Sequence, residues 1–423
     1  MHLLTQLIRE DMKPALGVTE PGAIAYAVST AKQYTEGELV EVHVSLNSGM
    51  YKNAFTCGIP HSDEVGNVFA AALGYVAGVA EKGLESLEYV TEEDNLLAKK
   101  LVEQGKVKVE LDHIGSEITI DATVKTEQDE CLVRIAGGHT DIYYIEKNGE
   151  IILEVPRKEL VESEDVVIHN YTLKDILEYI DCIDEKEIAF IRDAFSMNME
   201  LLEAGLASDK TTFGPMLKRN NGGRLLSEDE LKTAQLLCNG AIEARVLGLD
   251  KPAMSITGSG AHGIIATLPL YAYQQIHSSE ITEDKLLRAT ALSYLITMYI
   301  KEYSGKLSAF CGCGIAAGTG MACGLSYLEG ARYDDMERVI CNMASGITGM
   351  ICDGGNHGCT MKGIVAVDAA FRAVDMAMEG ISIAPSHGIN GKTPEDTMRN
   401  MGRIASPGMT GTEKTIVEIM QQK

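Results

Sequence analysis

Apolar residues in the first 35 positions recur at helical spacing. Leu3, Leu4, Leu7 and Ile8 share one face, and a second run, "LGVTEPGAIAYAVSTAKQY", restarts around Pro21. Thr19 is the expected N-cap of that second helix. From about residue 38 the period drops to two. "LVEVHVSL", "KVKVEL", "EITIDATV", "CLVRIAG" and "DIYYIEKNGEIILEV" alternate in the manner of half-buried strands, and "KNGE" marks a hairpin. Between them "EVGNVFAAALGYVAGVAEKG" and "EEDNLLAKKLVEQG" read as helices closed by glycine. Beyond about residue 171 the alternation ceases, and Ala, Leu and Met crowd long amphipathic stretches such as "DKLLRATALSYLITMYIKEY". The pattern predicts an α+β fold. N-terminal helices over residues 1–35 pack with a mostly helical domain at 171–423, and an α+β domain with an antiparallel sheet is inserted at 36–170.

Composition narrows the functional classes. A chain of 423 residues with 45% hydrophobic content can bury the cores of two or three domains. Its net charge of −24, from 37 basic and 61 acidic residues, repels nucleic acid and anionic membrane, so neither is expected as a partner. The opening "MHLLTQLIREDMKP" lacks the basic and apolar regions of a signal peptide, and no apolar run reaches the roughly 18 residues of a membrane span. A cytoplasmic protein is expected. Its ten cysteines are then reduced thiols, metal ligands or redox groups rather than a disulfide framework.

The candidate chemistry lies in glycine-rich patches that interrupt the helical region: "SITGSGAHGII", "SAFCGCGIAAGTGMACG" and "CDGGNHGC". "GSGAHG" matches a dinucleotide-binding fingerprint by letters, but Pro269 is expected to cut the following helix short, so a substrate-binding loop is the better reading. Cys311 and Cys313 form a C-x-C, and Cys352 and Cys359 a C-x6-C, all in glycine-rich turns. Cys182, Cys238, Cys323 and Cys341 fall within helical patterns and read as small buried hydrophobes. Soft thiolates select zinc or an iron–sulfur cluster. Neither pair has the spacing of a zinc knuckle, which leaves metal binding and structural turn cysteines both open.

At this point several ordered segments carry a likeness. "ALGVTEPGAIAYA", "YKNAFTCGIPH", "GGHTDIYYIEKNG", "GSGAHGIIATLPL", "CGCGIAAGTGMACGLSYLEGA", "NMASGITGMICDGGNHGCTMKG" and "GINGKTPEDTMRNMGRIASPGM" together resemble the iron–sulfur L-serine dehydratase and L-cysteine desulfidase superfamily. The likeness is closest to the single-chain L-cysteine desulfidase branch. It implies a helical catalytic domain and a 4Fe-4S cluster on three cysteines, here Cys313, Cys352 and Cys359, with Cys311 competing for the first place. An open iron would assist loss of a β-substituent from a small amino acid such as L-cysteine or L-serine, giving a 2-oxo acid, ammonia and sulfide or water. This lyase chemistry needs no pyridoxal phosphate, and a homodimer is compatible with it.

Site residues follow from the same segments. His139 and Lys52 are the candidate bases, and Asn53, Thr140, Ser259, His262 and Glu20 are the candidate substrate contacts. The chain departs from the family pattern at Val18, where members carry cysteine, at Ala261 and His262 in place of two amides, and at Asp141 in place of an asparagine. Two other classes remain. One is a non-catalytic amino-acid-binding descendant, and the other a pyridoxal phosphate lyase with Lys52 as Schiff base.

Overall fold

The computed structural model of the protein describes residues 1–157, 166–305 and 307–423, so that 158–165 of the expected α+β region lie outside the described residues. Period-two segments form strands as their alternation demands. After β1 (Lys13–Leu16), these are β2 (Leu39–Leu46), β3 (Val107–Leu111), β4 (Thr119–Thr126), β5 (Glu130–Ala136), β6 (Ile142–Lys147) and β7 (Glu150–Glu154), in the spatial order β3-β2-β4-β5-β6-β7. The "KNGE" hairpin joins β6 to β7, with Asn148 and Gly149 both at positive φ as a tight two-residue turn requires.

The sheet is mixed rather than purely antiparallel, because β2 and β3 run parallel. Their connection passes through the helices Ser48–Ala54, Gly66–Ala77 and Glu92–Glu103, and a crossover of that length returns the chain in the same direction. One face is dry: Val42, Val44, Ile120, Val124, Val133 and Ile135 are fully buried. The helices Thr19–Lys32 and Gly66–Ala77 belong to the same apolar cluster.

A second cluster fills the helical remainder, and it includes the helix Leu3–Asp11. At its centre the helix Glu283–Ser304 is buried around nearly its whole circumference, as a helix apolar on all sides must be. It lies against the helix Gly318–Leu328 at near backbone contact: a Cβ on Gly320 would stand 2.3 Å from the Ser293 carbonyl oxygen. Among the described residues no helix is long and apolar enough to cross a membrane.

Four local expectations are corrected. Val18, not Thr19, occupies the N-cap of the helix Thr19–Lys32, without a side-chain capping bond. Strands do not cease at 171: β8 (Pro252–Ser255) pairs antiparallel with β1, and the Ser255 hydroxyl donates to the Lys13 carbonyl at 2.6 Å. Pro269 does not end its helix, which runs Gly260–Ile276. Burial of Ile264, Ile265, Leu268 and Leu270 outweighs the roughly 3 kcal/mol that an interior proline costs. Cys182 is exposed, whereas Cys238, Cys323 and Cys341 are buried.

Gly320→Ala should lower the unfolding free energy by about 3 kcal/mol through overpacking at the central helix crossing. Urea denaturation of the variant beside wild type measures it.

Candidate functional site

Two short backbone segments bring the cysteine pairs together. The Cys311 N–H donates to the Met350 carbonyl at 3.1 Å and the Cys352 N–H to the Ala309 carbonyl at 2.6 Å, around an isolated antiparallel bridge between Phe310 and Ile351. Cys313 opens a π-helical turn, Cys313–Ala317, a local widening common at functional sites. Cys359 lies in the first turn of the helix Gly358–Met378, with its thiol 3.4 Å from the Gly354 carbonyl. The Cys311 and Cys313 sulfurs are 3.3 Å apart.

These thiols feel one another. The hydrogen bond between Cys311 and Cys313, then burial, pushes Cys311 well up. The same bond brings Cys313 down to about 7, helped by Lys362 and Arg245. Burial pushes Cys359 up to about 12, and Cys313 and Cys352 add to it. Four cations surround the group, and each is favoured by cysteine charge: Lys52 by Cys352, Arg245 and Lys362 by Cys359, Lys301 by Cys352. In a chain of net charge −24 this is a concentrated positive environment; it helps to bring Cys313 down, and at Cys359 Lys362 opposes the effect of burial without overcoming it. Among the described residues, no three His, Cys, Asp or Glu side chains are grouped to hold a metal ion.

The glycines between the cysteines allow close backbone approach. A Cβ on Gly354, itself at φ +102°, would stand 2.3 Å from the Lys52 carbonyl oxygen, and one on Gly355 would meet Val18 Cγ1 at 3.0 Å. Val18, one of the departures named from the sequence, thus lies directly against the thiol loop. The loop's far side is fixed by Glu243, which is fully buried. Its carboxylate accepts from the Thr212, Phe213 and Gly214 N–H groups at 2.7–2.9 Å and from His357 Nε2 at 2.6 Å. Burial alone would raise the Glu243 carboxyl, but these backbone donors outweigh it and hold it below the usual range.

The predicted residues separate into groups. The Lys52 ammonium is buried and donates to the Ser308 and Cys352 carbonyls and to Glu413 Oε2, at 2.9, 3.0 and 2.9 Å. Burial opposes its charge, yet Cys352 and Glu413 hold it in the protonated form. Asn53 Nδ2 donates to Glu20 Oε1 at 2.8 Å, and His139 Nε2 stands 3.9 Å from the same oxygen. Glu20, Asn53 and His139 therefore form one unit, while Thr140 beside them is exposed.

His262 lies on the cysteine side. Its Nε2 faces Gly312, where a Cβ would stand 2.7 Å away, and its Nδ1 is 2.6 Å from Thr257 Oγ1. Burial, with Lys301 and Arg245 nearby, holds the ring neutral. Thr257 sits at φ +50°, a strained conformation for a β-branched residue that costs about 1–3 kcal/mol. The strain places the hydroxyl on His262. Ser259 precedes the helix Gly260–Ile276 without capping it.

The sequence reading missed Glu243, Arg245, Lys301 and Glu413. Glu243 and Arg245 sit in the helix Glu230–Val246, whose residues from Ala241 to Val246 are all buried. Charges inside so continuous an apolar stretch were the available signal. Lys301 is drawn down to about 8 by burial and donates to the Gly305 carbonyl at 2.9 Å.

A cleft of about 860 Å3 runs along the outer side of the thiol loop, between Asp353, Asn356 and His357 and the side chains of Phe55, Leu247 and Ile416. None of the four thiols lines it.

Two variants test these supports. Lys52→Met removes the donor from a buried carboxylate and should cost about 4 kcal/mol of stability in chemical denaturation. Glu243→Gln should cost about 2 kcal/mol at neutral pH. Because folding depresses the Glu243 carboxyl below the usual 4.5, its contribution is complete above that pH and is lost as pH falls through the lower folded value. The gap between wild type and Glu243→Gln should therefore narrow in acid, as measured by denaturation at pH steps.

Known proteins are similar to this chain over most of its length. The family model described as "Serine dehydratase alpha chain" matches residues 81–418. A UPF0597 protein of Clostridium botulinum strain Langeland is 39% identical over 428 residues, covering 99% of this chain and 98% of its own. A UPF0597 protein of Caldanaerobacter subterraneus is 39% identical over 425 residues, with 100% and 98% coverage. One from Clostridioides difficile strain 630 is 34% identical over 422 residues, with 98% coverage of both. On the strength of these matches, the chain belongs to the serine dehydratase alpha chain family.

Proposed function

We propose that the protein is an iron–sulfur-dependent lyase that eliminates the β-substituent of a small α-amino acid without pyridoxal phosphate. The observation that carries the reading is the gathering of Cys311, Cys313, Cys352 and Cys359 inside a ring of four cations. A single metal ion needs its donors drawn close together, which the described residues do not offer. A multi-iron cluster spreads its thiolates around a larger body, and two facing turns suit that better. Cys313, Cys352 and Cys359 would hold it, with Cys311 alongside as the alternative to Cys313. When bound, such a cluster supplies an open iron, a Lewis acid for the leaving hydroxyl or thiol.

The chain's own groups divide the remaining work. His139 takes the Cα proton, and the Glu20 carboxylate, oriented by Asn53, steadies the imidazolium that results. Lys52 is not the base: its three N–H groups are engaged and its charge is favoured, so it has no lone pair to offer. The same engagement speaks against a Schiff base at Lys52. His262 stays neutral, and Thr257 fixes the orientation of its ring. Loss of the Cα proton and the β-substituent leaves an aminoacrylate, which tautomerises and hydrolyses to a 2-oxo acid and ammonia. One observation favours the non-catalytic reading: Val18, where the resemblance implies a cysteine, brings inert methyl groups against Gly355.

Iron and acid-labile sulfide in anaerobically purified protein should approach one cluster per chain and fall sharply in Cys352→Ser and Cys359→Ser. Ammonia should be released from L-cysteine or L-serine by the loaded protein. Protein that takes up no iron on anaerobic reconstitution overturns the cluster. Loaded protein that releases no ammonia from L-cysteine, L-serine or L-threonine moves the amino-acid-binding reading to the front.

A further inference from the structure

Arg245 is 5% exposed, yet among the described residues its guanidinium makes no hydrogen bond or ion pair, and its buried Nε is without a partner. Burying a cation without a partner is costly, so its retention calls for a partner of opposite charge. The surroundings show what lies about the guanidinium. Gly260 makes room for the side chain, since a Cβ there would stand 2.6 Å from Arg245 Nε. Of the charges that favour the guanidinium, Glu20 is the strongest, followed by Cys359 and Cys313. Glu20 is itself 5% exposed. Two buried opposite charges thus attract each other beside the thiols without meeting in an ion pair.

We infer that Arg245 and Glu20 form a two-ended clamp for the zwitterion of a small α-amino acid, the guanidinium holding the α-carboxylate and the Glu20 carboxylate the α-ammonium. The guanidinium fork suits a carboxylate through paired N–H donors. Asn53 holds Glu20 Oε1 by a 2.8 Å hydrogen bond, with His139 Nε2 3.9 Å from the same oxygen, and so fixes the ammonium end. The inference rests on the lyase reading for the identity of the site and adds its recognition rule. A ligand must carry both free charges, so amides, N-acyl amino acids and 2-hydroxy acids are refused. The 2-oxo acid product has lost its ammonium, keeps only the Arg245 contact and is released.

The test uses L-alanine, which has no β-leaving group, with L-alaninamide and L-lactate as one-ended controls, on wild type, Arg245→Met and Glu20→Gln. Binding is read by calorimetry and by the shift in melting temperature. Wild type should bind L-alanine at least tenfold more tightly than either control. Arg245→Met should lose L-alanine binding and keep its iron. Glu20→Gln should lose its preference for L-alanine over L-lactate.

Equal binding of L-alanine and L-alaninamide by wild type overturns the clamp, and so does undiminished L-alanine binding by Arg245→Met. A lower melting point and lost iron in Arg245→Met, with L-alanine binding retained, assign the arginine to the thiols instead and also overturn it. Failure of the lyase reading is distinguishable. If wild type binds L-alanine through Arg245 but releases no ammonia from any amino acid, the clamp stands and the elimination falls. If Arg245→Met processes L-serine or L-cysteine with unchanged KM, the elimination stands and the clamp falls.

Discussion

The buried ammonium of Lys52 is the interaction on which the rest of the architecture depends. Withdrawing a lysine from water costs several kcal/mol, and the cost is offset only where its donors are met with good geometry. Its three acceptors come from three places: the Ser308 carbonyl ahead of the C-x-C turn, the Cys352 carbonyl in the thiol loop, and Glu413 in the helix Thr410–Met420. Lys52 itself sits on the helix Ser48–Ala54, whose buried residues belong to the sheet's apolar cluster. One cation therefore joins the sheet, both cysteine segments and the C-terminal helix. Any shift of the sheet relative to the helical part would strand a charge in the interior.

The glycine-rich loop follows from that constraint. Its backbone must pass within contact of the Lys52 carbonyl while the Cys352 carbonyl stays on the ammonium, and a side chain at Gly354 or Gly355 would prevent it. Glycine alone would leave such a loop loose, at a large entropic disadvantage. Glu243 supplies the missing restraint through His357, and it does so from a helix whose own position is fixed by burial along most of its length. The loop is accordingly flexible in composition and held at both ends by buried charge.

Much of this was legible in the sequence. The period-two runs became β2 to β7, the "KNGE" turn has the expected dihedral angles, and the glycine setting of the four cysteines marked them off from Cys238, Cys323 and Cys341. The parallel β2–β3 pairing was not, because alternation specifies which face of a strand is buried and not which neighbour it takes. The β1–β8 pair consists of four-residue strands that each contain a proline, too short for any period to register. Arg245 was hidden for a different reason. Near the end of a helix an arginine ordinarily serves the macrodipole in solvent, and the burial of its neighbours together with the packing of Gly260 against its Nε shows that it does not.

The charges left unresolved in the interior share one feature. Lys301 is drawn toward neutrality, His262 is held neutral, Arg245 lacks a partner, and the thiols are pushed apart in their protonation behaviour. The departures at the three basic groups would be relieved by negative charge arriving at the centre of the group. Thiolates bound to a metal cluster supply part of that charge, and a substrate carboxylate supplies more. Folding has buried a guanidinium whose Nε finds no partner among the described residues, and it tolerates the strain at Thr257 beside a neutral imidazole. A protein stabilised for its own sake would replace such groups with apolar side chains of equal volume, since buried ions are weak contributors to stability. Their retention is the physical argument that this interior is built around something it binds.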